Sequence, residues 1–176
     1  MSNGVRDLSV NAECEMNVNI SEETIAQIQN YDQFQDMCVE LQKLDDSSRF
    51  NLLFPLAIAR SSASSVAAKL LVATEPKPQE SCSQLLEKIA RSSLDASNHE
   101  VPFYLIVQFG KSNLLNEYRQ YCASTRLSDE EKRRVSIVAY WTAPPTEHLV
   151  LQLHQWEWQD EYIQPSLPPD RPATSG

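Results

Sequence analysis

At 176 residues and 20.0 kDa the chain can bury one domain with tails, but not two ordinary domains. Its three glycines (Gly4, Gly110, Gly176) exclude a Gly-rich phosphate loop, and its net charge of −9 argues against tight nucleic-acid binding by this chain alone. Residues 1–46 hold ten acids against Arg6 and Lys43, a net −8; residues 47–143 hold twelve bases and nine acids, a net +3; residues 144–176 hold one base and five acids, a net −4. A mildly basic middle between acidic ends suits protein contacts and permits a phosphate contact without requiring one.

Cys14, Cys38, Cys82 and Cys122 are spread too widely for a zinc site or a disulfide framework, so reduced thiols of an intracellular protein are expected. No apolar run follows a basic start and no segment reaches membrane-spanning length, so neither a signal peptide nor a membrane partner is expected. The sequon at Asn19 is then expected to stay unglycosylated.

Residues 1–19 are polar, aperiodic and acidic, and are read as a disordered N-terminus. Ser21 is a candidate N-cap, and Ile25, Ile28, Tyr31, Phe34, Cys38 and Leu41 recur at spacings of three and four, which predicts one amphipathic helix over 22–43. Its apolar stripe either packs on the domain or docks on a partner. In RFNLLFPLAIAR, from Arg49 to Arg60, alternation of Phe50, Leu52, Phe54, Leu56 and Ile58 together with Pro55 predicts an edge strand. VAAKLLVATEP (66–76) reads as a second strand, although Ala67, Ala68, Lys69 and Leu70 also suit a helix. Residues 78–94 form an amphipathic helix burying Cys82, Leu85, Leu86, Ile89 and Ala90.

VPFYLIVQFG (101–110) reads as a buried strand, KSNLLNEYRQYC as a helix from Ser112 to about Ala123, and Ser128 with Glu131 as a capped turn before a strand, Val135 to Trp141. TAPPTE then leads to a final strand, EHLVLQLHQWEW, with Leu149, Leu151 and Leu153 on its core face and His154, Trp156 and Trp158 on the other. Residues 163–176 are a Pro-rich tail.

No nucleophile elbow, metal-ligand spacing or cofactor loop occurs, so a non-enzymatic protein with no metal or cofactor is expected, and no catalytic residue is assigned. Trp156 and Trp158 with His154, Tyr140, Trp141 and Phe34 form the candidate partner-binding set, because large aromatics are enriched where interfaces bury them. Lys132, Arg133 and Arg134 are candidate phosphate contacts, unless Asp129, Glu130 and Glu131 neutralise them.

With the 78–94 helix treated as an insertion, three strands, a helix and two strands remain over about residues 50–160, an order that resembles the five-stranded OB-fold barrel. The expected fold class is therefore α+β, an OB-like barrel within one domain over 20–162, with an N-terminal amphipathic helix and an inserted helix. If 62–73 is helical instead, a small α/β sheet domain follows. The barrel is preferred for the alternation of Leu149, Leu151 and Leu153 with Ile137 and Ala139. An acidic helix, a barrel and a Pro-rich tail together resemble the small OB-fold subunits of telomere-capping and single-stranded-DNA-binding complexes. That resemblance implies a nuclear protein at chromosome ends, assembled with other protein subunits of a capping complex and with at most a weak or indirect single-stranded DNA contact. The alternative is a small adaptor unrelated to nucleic acid.

Overall fold

The computed structural model describes residues 20–145, and among these there are eight helices and no strand. In chain order they are α1 (Glu22–Ala26), α2 (Tyr31–Gln42), α3 (Asp46–Ile58), α4 (Ser64–Thr74), α5 (Cys82–Ala90), α6 (Glu100–Phe109), α7 (Lys111–Ser124) and α8 (Asp129–Thr142). The OB-like barrel, and equally the α/β sheet alternative, are thereby overturned. The final strand with Leu149, His154, Trp156 and Trp158 lies outside the described residues, as do the tails 1–19 and 163–176.

Each misread strand has a physical reason. In α3 the buried residues are Phe50, Leu53, Phe54, Ala57 and Ile58, a helical face, but so many neighbours are apolar that period two fits the same letters. Pro55 is tolerated because it and Asn51, whose carbonyl loses its partner, both lie on the exposed side near the helix end. In α4 the helix-favouring alternative prevails, with Ala67, Ala68, Leu70 and Leu71 buried.

Helix α6 is apolar on all sides and buried from Glu100 through Ile106, the signature of a central helix, which a short all-apolar run does not distinguish from a buried strand. Pro102 sits in its first turn, where the missing N–H has no partner to lose. In α8 the β-branched run suggested a strand, yet Ser128 and Glu131 form a capping box, and Val135, Val138 and Thr142 line one helical face. The helix read over 22–43 is instead two, because Asn30 accepts from Gln33 N at 3.0 Å and starts α2 afresh. Its stripe packs inward: Ile25, Phe34 and Leu41 are buried.

Helix α6 is the hub, packed against α4, α7 and α8. Helix α4 carries α1, α2 and α3, while α5 packs on α7 and α8. One apolar core runs through all eight elements. Cys38 and Cys82 belong to it or its margin, and burial pushes both thiols up to about 11; Glu117 adds to the rise at Cys82. Tyr104 donates to the Pro76 carbonyl, which satisfies its buried hydroxyl.

Gly110 ends α6 and starts α7 at φ 78°, ψ 143°, a conformation that only glycine adopts freely. A Cβ there would meet nothing within 4 Å, so the cost of a side chain is torsional rather than steric. Gly110→Ala is expected to lower unfolding free energy by about 1–3 kcal/mol, and Phe103→Ala, which empties the hub, by about 3–5 kcal/mol. Urea denaturation followed by far-UV circular dichroism checks both.

Candidate functional site

A groove of about 730 Å³ runs along α8, between it and the 93–97 loop that joins α5 to α6. Its lining contains four of the residues singled out from sequence: Arg133, Arg134, Tyr140 and Trp141. They come together because positions 133, 137 and 140–141 repeat on one side of a helix. As two separate features, a basic turn and an aromatic strand, they had no reason to meet.

The 93–97 wall is fixed by its own hydrogen bonds. Asp95 accepts from Ser97 N at 2.9 Å and from Ser97 Oγ at 2.6 Å. Asn98 accepts from Val101 N at 3.0 Å, opening α6, and donates to the Ala57 carbonyl at 3.4 Å. Trp141 Nε1 donates to the Ala96 carbonyl at 3.0 Å, tying α8 to this loop, and its ring lies 5.4 Å from that of His99. Tyr140 packs edge-on against Trp141 at 5.1 Å and is 68% exposed. The two aromatics thus divide the work: Trp141 holds the groove together, and Tyr140 faces outward.

The charges need the same separation. Lys132 pairs with Asp129 at 3.7 Å, and Arg133 and Arg134 both reach Glu130, at 3.3 and 2.5 Å. The basic cluster is thus largely neutralised within its own helix. Arg60, just beyond the end of α3, also lines the groove, a member that no local sequence signal marked. Two smaller recesses adjoin it. One, of about 500 Å³, shares Arg60 and Asp95 and adds Lys69, His99 and Glu100. The other, of about 660 Å³, shares Arg134 and adds Lys88 and Arg91, which pair with Glu80 and Glu87.

His99 Nδ1 donates to the Ser97 carbonyl at 3.1 Å, while Nε2 is buried without a hydrogen bond, 3.9 Å from Glu100 Oε1. No serine hydroxyl or cysteine thiol therefore stands bonded to this imidazole, as a nucleophile–base pair would require. Among the described residues no group of three or more His, Cys, Asp or Glu side chains is placed to hold a metal ion, and no helix is long and apolar enough to cross a membrane.

Phe34 sits elsewhere, 6% exposed on α2 with its ring 6.4 Å from that of Tyr31, and the structure does not bring it to the groove. Trp156, Trp158 and His154 lie outside the described residues.

Asp95 in the groove wall and Glu131 in the first turn of α8 are both held below their ordinary range. The Ser97 hydroxyl is the main cause at Asp95, followed by the Ser97 backbone N–H, with help from Arg60; the Ser128 hydroxyl is the main cause at Glu131, followed by the Ser128 backbone N–H, with help from Arg91 and Arg134. A depressed carboxyl stabilises the fold above its ordinary value, 3.8 for Asp95, and that share is lost as pH falls through the lower folded value. Asp95→Asn is therefore expected to flatten the fall of Tm between about pH 5 and pH 2, read by thermal melts. Trp141→Phe, which loses the Ala96 bond, should cost about 1 kcal/mol, whereas Tyr140→Ala should stay within about 0.5 kcal/mol; chemical denaturation separates the two. No protein-family model, curated protein or solved structure matches this chain.

Proposed function

We propose that the protein works by binding, with the α8 groove as a docking surface for an acidic polypeptide segment that carries aromatic or large apolar side chains. The observation behind this reading is the coincidence of an outward-facing Tyr140 with Trp141 and three arginines, Arg60, Arg133 and Arg134, in one groove of an otherwise acidic protein. Arginine and tyrosine are the residue types that dominate binding hot spots, and they lie here beside a wall already braced by hydrogen bonds. The partner's carboxylates would meet arginines that share Glu130, which leaves guanidinium donors free for them.

Service as one subunit of a nucleoprotein complex at chromosome ends is the narrower form of this proposal. Its support was a barrel order of elements, and the helical fold withdraws it. Glu130 and Asp95 in the groove, and the net charge of −9, weigh against a phosphate backbone as the ligand.

A panel of labelled peptides and single-stranded oligonucleotides tests the reading by fluorescence anisotropy. Acidic aromatic peptides should bind, basic ones should not, and Tyr140→Ala with Arg133→Ala should weaken binding at least about tenfold through loss of two hot-spot residues. Preference for the oligonucleotides, with a steep salt dependence, would replace the peptide by nucleic acid.

A further inference from the structure

The same groove has a candidate ligand within its own chain. Residues 146–162, TEHLVLQLHQWEWQDEY, lie outside the described residues and carry Glu147, Glu157, Asp160 and Glu161 with no lysine or arginine. They also hold Trp156, Trp158, Tyr162 and three leucines. This is the acidic, aromatic composition that the groove's arginines and Tyr140 suit. The segment also starts in the right place. Helix α8 ends at Thr142, one residue after Trp141, and the chain beyond is held by Lys111 Nζ, which donates to the Pro144 carbonyl at 2.6 Å.

Reach is not limiting. The groove follows α8 from Glu130 to Trp141, roughly 17 Å at 1.5 Å per residue, while an extended segment of this length spans up to about 55 Å. We propose that residues 146–162 dock in the α8 groove of their own molecule and compete there with outside partners. This inference rests on the groove being a docking surface. Neither residues 1–19 nor a second copy fits as well. The former hold three acids and no aromatic residue, and the latter would have to bring this segment without the advantage of a tether.

Tethering sets the size of the effect. At an effective concentration on the order of 1 mM, a segment with an intrinsic Kd of about 0.1 mM would weaken an added ligand about tenfold. The test uses the full chain and a labelled synthetic peptide with the sequence of residues 146–162. The peptide should bind the native chain weakly, and the full-length W156A/W158A variant about ten times more tightly, because the tethered competitor has lost its indoles. Adding R133E and R134E to that variant should abolish binding, with circular dichroism confirming that the helices persist.

Equal affinity for the native and W156A/W158A chains, or no binding to either, would overturn the proposal, as would a dimer of the native chain whose population rises with concentration and is lost in W156A/W158A. Failure here while unrelated acidic aromatic peptides still bind through Tyr140 and Arg133 would leave the docking surface standing. Failure of both would remove the docking surface too.

Discussion

The fold depends on the complete burial of α6. A ten-residue helix with apolar side chains on every side has no stable existence in water, and each of Val101, Phe103 and Leu105 contributes about 1.5–3 kcal/mol only once neighbours cover it. Helices α4, α7 and α8 supply that cover. Because α4 in turn carries α1, α2 and α3, and α5 joins through α7 and α8, the domain is organised as two groups of helices meeting on one buried rod. The groove lies on this plan: the loop that forms its one wall leads straight into α6, and α8, its other wall, is one of the three helices that bury it.

What could be read in the residues followed from how strongly local signals agreed. Helix α5 was legible in its apolar face, since Cys82, Leu85, Leu86, Ile89 and Ala90 fall on one side and all are buried, but the helix read over 78–94 is Cys82–Ala90, begun by a Ser81–Gln84 capping box that the reading passed over. Helix α7 was legible in its position, and α8 in its cap at Ser128. Helices α3, α6 and the rest of α8 were not, because runs such as RFNLLFPLAI and VPFYLIV are apolar at nearly every position and satisfy periods of two and 3.6 alike. Proline misled as well. Pro55 on an exposed face and Pro102 in a first turn are both compatible with helix, and neither placement is visible without the fold.

The candidate site was half legible for a related reason. Arg133, Arg134, Tyr140 and Trp141 stood out by composition, but the strand reading separated them, and only the helical repeat gathers them on one side. Arg60 and Asp95 had no local mark at all, because their part in the groove comes from the packing of distant elements. Phe34, an aromatic on an apolar stripe, does not join them, because that stripe packs into the core away from the groove.

The bond from the Trp141 indole to the Ala96 carbonyl joins residues 45 positions apart. It bears on the order in which the molecule becomes competent. A chain made from its N-terminus has the loop wall well before it has α8, so the groove does not exist until residue 142 is in place and α8 has packed. Anything that needed both walls would therefore find them only after α8 has packed, which makes the groove a property of the assembled helices and not of either segment that lines it.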